Sequence, residues 1–293
     1  MELSVGVTLA VLGAGFLHAG WNALLKSSAG GDALLDTTAV VAGSSLWGLA
    51  CVGLVSFPPL SAWPYIAASS VIHFGYYVTL SQAYRTGDLS FAYPLMRGTA
   101  PLLVTILGTL VLRELPSAQM ALGIALISLG IVSIAFVQRR VHSRAAAYWA
   151  FANACIIAAY TLVDGAGARA SGNAISYVTW LIFLEGIPFV VWVIVRRGRP
   201  ALAYLRASMR IGLVGGGCSL AAYAIVLWAM TRAPIAAVAA LRETSVLFAA
   251  LLGSIWLKEG FGWRRVAGAA SVDTNGGQQP GLTWPSACDP QGR

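Results

Sequence analysis

Residues 83–125 align with residues 228–270 without a gap, at a constant offset of 145. Each copy contains an apolar segment long enough to cross a bilayer, and each carries one arginine at membrane depth, Arg97 in the first and Arg242 in the second. Other identical positions are the pairs Gly108/Gly253, Glu114/Glu259 and Gly123/Gly268. Internal duplication with ionisable residues at membrane depth is typical of secondary transporters, whose substrate site lies between the repeats.

The composition indicates a membrane protein. Hydrophobic residues make up 58% of the chain and charged residues only 10%, whereas a soluble domain carries about 25% charged residues. We therefore predict an all-α fold, a polytopic helix bundle in the lipid bilayer of the cell inner (plasma) membrane. Nine segments have spanning length, namely residues 4–25, 36–57, 63–84, 91–112, 119–137, 148–165, 174–195, 210–231 and 235–257.

The repeat also predicts how the two halves are arranged. Glu114 ends the fourth predicted span and Glu259 ends the ninth, so these equivalent residues emerge on opposite faces of the membrane. We predict two inverted five-helix repeats, the first over residues 1–140 and the second, incomplete, over residues 141–270.

The tenth span of this pattern is interrupted. It begins near Trp263, but residues 271–293 are polar and rich in glycine and proline where the repeat requires an apolar run. We interpret residues 271–293 as a disordered tail left by a frameshift or a truncation of the tenth span. A natural nine-span protein with a disordered tail is the alternative.

Four stretches, in order along the chain, resemble a known family. They are residues 18–26, 87–97, 159–165 and 241–245, the last followed by Lys258 and Glu259. Over residues 4–270 the chain resembles the EamA-type branch of the drug/metabolite transporter superfamily. Members of that branch have ten helices in two inverted five-helix repeats. They move metabolites, amino acids, amines, sugars or drugs, so the resemblance implies a transporter of a small molecule and leaves the substrate open.

The two matched arginines are the first candidates for a site. A lone arginine at mid-helix costs about 2.5–3.5 kcal/mol on insertion scales, so Arg97 and Arg242 are expected to face a polar cavity or a partner. They would bind an anionic group of the substrate or hold the interface between the fourth and ninth spans. The alternative is a structural role, in which each arginine binds helix-end carbonyls or extends to the membrane surface.

Two glutamates are candidates for proton coupling. Glu185 lies near the centre of the seventh span, far from any other charge in sequence, where a carboxyl group could accept and release a proton. A protonated glutamate hydrogen-bonded to a neighbouring helix is the alternative. Glu243 points about 100° around the helix from Arg242, so we predict that it pairs with an arginine of another helix rather than with its neighbour.

Aromatic and polar side chains complete the predicted site. His18, Trp21 and Asn22 share one stripe of the first span, at the spacing of adjacent helical turns. The predicted substrate-binding set is Arg97, Arg242, His18, Trp21, Asn22, Tyr76, Tyr93 and Tyr160. Prolines 94, 101 and 234 predict local opening of the fourth and ninth spans, which would expose carbonyl groups to a cavity.

Other classes of function have little support. The sequence has no P-loop, no GxSxG motif and no HExxH motif, so we predict no enzyme activity, no metal and no cofactor. Nucleic-acid binding is not expected, because the arginines lie in short clusters between apolar runs. The prediction is a secondary transmembrane transporter that works by alternating access, with protons as a possible coupling ion. The alternative is a non-transporting or inactive sensor or structural membrane protein that has lost its tenth helix.

Overall fold

The computed structural model describes residues 3–28, 32–87, 89–136 and 143–248. Within these ranges the chain is helical and contains no β-strand. The helices are α1 (Val5–Ser28), α2 (Ala33–Val52), α3 (Trp63–Thr86), α4 (Leu89–Val111), α5 (Ala118–Phe136), α6 (Arg144–Ala170), α7 (Ala174–Arg197), α8 (Arg199–Ala207), α9 (Met209–Met230) and α10 (Ile235–Arg242). The expectations for Glu259, for a truncated tenth span and for the 271–293 tail lie outside the described residues.

Six described helices are long and apolar enough to cross a membrane: Leu34–Val52, Phe91–Val111, Ala118–Phe136, Arg144–Ala170, Ala174–Arg197 and Met209–Met230. In α1 the apolar stretch covers Val5–Gly20 and is shorter. α3 has similar length but carries more polar residues, several of which face the protein interior. The prediction of an all-helical membrane bundle is confirmed, and the complete ten-span inverted repeat remains a prediction.

Two departures from the predicted helix boundaries occur close to proline or glycine residues. α2 ends at Val52, before the expected residue 57, and a turn at Gly53 and Leu54 then leads to Pro58 and Pro59. The short helix α8 was not predicted, because its residues had been assigned to a loop. Its N-cap is Gly198, whose φ of +64° turns the chain out of α7, and it buries Ala201 and Leu205 one helical turn apart.

Glycines allow the central helices to approach closely. A Cβ atom at Gly212 of α9 would lie 2.5 Å from the Ala39 carbonyl oxygen of α2. A Cβ atom at Gly48 of α2 would lie 2.8 Å from the backbone nitrogen of Phe183 in α7. Larger residues would therefore force these helix pairs apart. The Gly212-xxx-Gly216 motif of α9 therefore serves helix packing, since Gly216 likewise lies against Gly43 and Ser44 of α2.

The helix neighbours fall into pairs. α3 packs along α6 and α1 packs along α9, while α4 contacts α6 and α1 contacts α10. α2 packs against both α7 and α9. The α3–α6 pair is fixed by Asn153, whose Nδ2 donates to the Tyr76 carbonyl oxygen at 3.0 Å and to Thr79 Oγ1 at 2.8 Å. These contacts bring the polar faces of α3, α4, α6, α7 and α10 into one buried interior.

Candidate functional site

The interior between α4 and α10 holds two arginines and one glutamate. Arg97 Nη1 donates to Glu243 Oε1 at 3.3 Å, and Arg242 donates to the same oxygen from Nε at 3.2 Å and from Nη2 at 3.0 Å. All three side chains are buried, with 1% to 8% of their surface exposed. We call these three residues the basic cluster, because two guanidinium groups share one carboxylate and one positive charge remains in excess.

α10 is interrupted directly after Arg242. It follows Pro234 and ends at Arg242, Glu243 and Thr244 form a turn, and helical structure resumes at Ser245. The expectation for Glu243 is confirmed in part, because it pairs with Arg97 of another helix, and is wrong in part, because it also pairs with its neighbour Arg242. The two neighbouring side chains are long enough to meet although they leave the helix about 100° apart.

The prolines agree only in part with the prediction. α4 is continuous from Leu89 to Val111 with both Pro94 and Pro101 inside it, so neither proline ends the helix, although each lacks the N–H that would bond the carbonyl four residues earlier. Pro234 lies at the start of α10, where its missing N–H leaves no hydrogen bond unmade. The turn that interrupts the helix begins nine residues later, at Glu243, a position without proline.

Aromatic and imidazole rings surround the basic cluster. Arg97 Nη2 donates to His18 Nε2, and since a guanidinium can only donate, this nitrogen acts as the acceptor. Arg97 lies over the Tyr93 ring, with Cζ 5.5 Å from the ring centroid, and Arg242 lies over the Tyr160 ring at 5.9 Å. Cations attract the faces of aromatic rings at this range.

The structure thus gathers most of the predicted substrate-binding residues. Tyr76 also belongs to this group of side chains. Its ring lies edge-on to the Tyr160 ring, with the two centroids 5.7 Å apart. Trp21 and Asn22 lie in α1, and the structure describes their backbone but not their side chains. The role of these residues in binding stays a prediction.

A second buried cluster lies around Glu185. Tyr77 donates its hydroxyl hydrogen to Glu185 Oε1 at 3.4 Å, and His73 Nδ1 lies 3.1 Å from Glu185 Oε2. The same nitrogen lies 3.0 Å from the Ser69 carbonyl oxygen, which competes for its hydrogen. Glu185 Oε2 has no aligned hydrogen bond within the described part of the chain, despite its short distance to His73.

Asp164 is the other carboxylate of this region, and the sequence analysis did not select it. It is fully buried, and it accepts hydrogen bonds from the hydroxyl of Tyr177 at 3.0 Å and from the hydroxyl of Tyr223. Tyr223, which donates to Asp164, also lies edge-on to the His73 ring, with the two centroids 6.3 Å apart. We call Asp164, Glu185 and His73 the acidic cluster.

The reason that Asp164 was missed is its apparent position. The predicted sixth span ended at residue 165, so Asp164 was placed at a membrane surface, where a carboxylate needs no explanation. The helix continues to Ala170 and places Asp164 inside it. A buried acid six residues before the end of a helix is a much stronger signal of function.

One aromatic ring contacts both clusters. Arg242 lies over Tyr160, and the Tyr160 ring stacks on the His73 ring with centroids 4.3 Å apart. Tyr160 itself is 5% exposed. The interior therefore holds a positive and a negative region that meet at a single side chain.

A third polar network lies at another end of the bundle. Glu114 pairs with Arg169, and Glu114 Oε2 accepts the backbone N–H of Ile235 at 3.0 Å, which caps the start of α10. Arg169 also lines a cavity of about 460 Å³ beside Trp228. Glu114 and Arg169 are each more than one-fifth exposed, so we consider the buried clusters the stronger site candidate.

Neither cluster, in the part of the chain that the structure describes, is arranged as a metal site. Among the described residues, no group of three or more His, Cys, Asp or Glu side chains could hold a metal ion. The acidic cluster contains two carboxylates and one imidazole, and tyrosine hydroxyls occupy both oxygens of Asp164. This arrangement suits proton exchange and the binding of an organic cation.

Comparison with known proteins agrees with these features. No curated protein matches the chain significantly. Residues 144–272 match the model of the EamA-like transporter family, whose members are transporters, and the matched segment contains Arg242, Glu243 and the carboxylates of the acidic cluster. The resemblance inferred from the sequence motifs is confirmed over residues 144–272. In that segment this membrane protein is similar to the EamA-like transporter family, which belongs to the drug/metabolite transporter superfamily.

Proposed function

We propose that the chain is a secondary transporter of a small metabolite, which moves its substrate by alternating access between two inverted halves. The observation that carries the proposal is the basic cluster. It joins α4 of the first half to α10 of the second through buried charges, and it lies on helices that carry the duplicated sequence. The substrate site of a transporter usually lies at membrane depth between the repeats, where charged residues are found.

The helix contacts support the inverted repeat. If α1 to α5 correspond to the second-half spans in order, α6 corresponds to α1, α9 to α3 and α10 to α4. The α3–α6 contact then has its counterpart in α1–α9, and the α4–α6 contact has its counterpart in α1–α10. The α2–α7 and α4–α10 contacts each join equivalent helices across the symmetry axis. Two inverted halves of one bundle produce such reciprocal pairs.

We further propose coupling to protons through Glu185, with Glu243 as the second candidate. Glu185 faces His73, which can accept or donate a proton over 3.1 Å, and Asp164 lies nearby. Glu243 holds two arginines, so a change in its charge would loosen the contact between the halves. Substrate and proton would then act on neighbouring parts of one interior.

The proposal is tested with the full chain in proteoliposomes. Ligands are first found by thermal-shift screening of the purified protein against classes of metabolites, because a ligand that binds only the folded state raises its stability. A compound that binds is then loaded inside the vesicles, and exchange for external labelled compound is measured. Arg242→Ala vesicles serve as the control. Binding without exchange in the wild-type protein would contradict a carrier and favour the sensor alternative.

A further inference from the structure

We propose that α8 is an interfacial helix that binds the phosphate groups of anionic phospholipids at one surface of the membrane. α8 joins the end of α7 to the start of α9. Both of these neighbours are long and apolar enough to cross the membrane, so the short helix between them lies where the chain leaves and re-enters the bilayer. This property of α8 does not depend on which substrate is transported.

The stretch around α8 is strongly basic. Residues 196–210 contain no acidic residue and five arginines, all of them exposed: Arg196, Arg197, Arg199, Arg206 and Arg210. Arg197 lies 3.5 Å from a carboxylate oxygen of Asp32, and Arg196 lies over the Trp192 ring with Cζ 5.5 Å from its centroid. In the part of the chain that the structure describes, no ion pair involves the other three arginines. Their planar donors are therefore available to phosphate oxygens.

One stripe of α8 places an apolar side chain between two of these arginines. Arg199, Leu202 and Arg206 are spaced by three and four residues, so they lie along the same side of the helix. Leu202 is 38% exposed, whereas Ala201 and Leu205 are buried against the bundle. An exposed leucine flanked by arginines suits the boundary between headgroups and acyl chains. The leucine enters the apolar layer there, and the arginines stay with the phosphates.

The inner side of α8 is fixed to the helix bundle. The Tyr204 hydroxyl donates to the Asp36 carboxylate of α2, and Ala201 belongs to an apolar cluster that includes Val193 of α7. The arginine stripe therefore has a defined position only when α2, α7 and α8 are packed together. A lipid that binds this stripe should stabilise the folded state.

The charge of the stripe favours anionic lipids over zwitterionic ones. Phosphatidylcholine carries a choline cation beside its phosphate, and the arginines repel that cation. Phosphatidylglycerol has hydroxyl groups in its place. Each arginine near an anionic membrane surface strengthens binding on the order of fivefold. Salt screens this attraction, so the preference for the anionic lipid should decrease as salt is added.

The experiment compares two lipids that differ only in the headgroup. The purified full chain in detergent is titrated with phosphatidylglycerol or with phosphatidylcholine of the same acyl chains, and thermal unfolding is followed. We expect phosphatidylglycerol to raise the unfolding temperature more than phosphatidylcholine does, and the difference to shrink at high salt. Glycerophosphoglycerol is the same anionic headgroup without acyl chains, and it should have a much smaller effect.

Three variants assign the effect to α8. Arg199→Gln combined with Arg206→Gln should weaken the apparent affinity for phosphatidylglycerol on the order of 10- to 30-fold and leave that for phosphatidylcholine nearly unchanged. Leu202→Ser keeps both arginines and should weaken both lipids, because it removes the apolar contact. Arg232→Gln is the matched control. It removes an exposed arginine that follows the other end of α9 and lies over the Trp228 ring, and it should keep the wild-type affinity.

Several results would overturn the proposal. Equal stabilisation of the wild type by the two lipids would do so, and so would an undiminished preference for phosphatidylglycerol in the double variant. An effect of glycerophosphoglycerol as large as that of the lipid would indicate a site for a soluble anion instead. Loss of the preference in Arg232→Gln would indicate a general response to net charge. If the double variant fails to fold, the lipid and salt series on the wild type still decides the matter, and the vesicle exchange assay tests transport separately.

Discussion

α4 and α10 carry the same arginine at matched positions of the repeat, and their backbones differ directly after it. α4 continues through Gly98 as one helix to Val111. α10 ends at Arg242, and Glu243 occupies the position equivalent to Gly98. The two copies therefore keep the cation and change the residue that follows it.

The difference shows how a duplicated segment acquires two tasks. Gly98 faces α5, where a Cβ atom would lie 2.6 Å from Val132 Cγ2 and 2.9 Å from the Ser128 carbonyl oxygen. That position in the first copy serves close packing within its half. In the second copy, Glu243 supplies the carboxylate for both arginines. Only one half provides the counter-charge, so the basic cluster depends on both halves.

The largest effect is expected for Glu243→Ala, which removes this counter-charge. Two buried guanidinium groups would remain beside each other, and loss of one partner of a buried pair costs about 3–5 kcal/mol. We expect a marked fall in folded yield and in thermal stability of the purified protein. Glu243→Ala combined with Arg242→Met removes the repulsion and should recover part of the loss. Unchanged stability in the single variant would show that the cluster is solvated.

The sequence predicted the helix bundle and the buried charged residues, but it did not predict how these residues contact one another. Arg97, Arg242 and Glu185 stand out because a charge inside an apolar run is visible without coordinates. The break after Arg242 was not visible, since no proline or glycine marks it and tertiary ion pairs accompany the turn. Asp164 was missed because the predicted end of its helix lay five residues before the observed end.

Gly98→Ala tests the packing task of the first copy. Its methyl group would meet Val132 and the backbone of Ser128, so α4 and α5 must separate, at a cost of about 1–3 kcal/mol. Gly123→Ala in α5 is the matched control, because a Cβ atom there meets nothing within 4 Å. We expect the control to match or exceed wild-type thermal stability, as alanine favours helix. Equal loss in both variants would remove the argument for a packing role of Gly98.

Lysine substitutions compare the two arginines directly. Arg242 makes two hydrogen bonds to Glu243, whereas Arg97 makes one to Glu243 and one to His18. Lysine keeps the charge but lacks the planar fork, so each variant should lose about one hydrogen bond, or about 1 kcal/mol. Arg242→Lys should weaken the Glu243 contact more, and vesicle exchange should fall in both variants. Wild-type exchange in both would leave only a structural role for the pair.

The smallest effect is expected at the start of α10, which Glu114 caps. Glu114→Gln removes the charge that faces Arg169 and keeps an amide oxygen able to accept the Ile235 N–H. Both partners are partly exposed, and solvent reduces the contribution of such an ion pair to about 0–1 kcal/mol. Thermal unfolding should therefore shift only slightly and should become less sensitive to salt than in the wild type. Glu114→Ala also deletes the cap, so it should lower stability further than glutamine does. If glutamine and alanine are equally harmful, the charge of Glu114, and not its hydrogen bond to α10, holds the two halves together at this end.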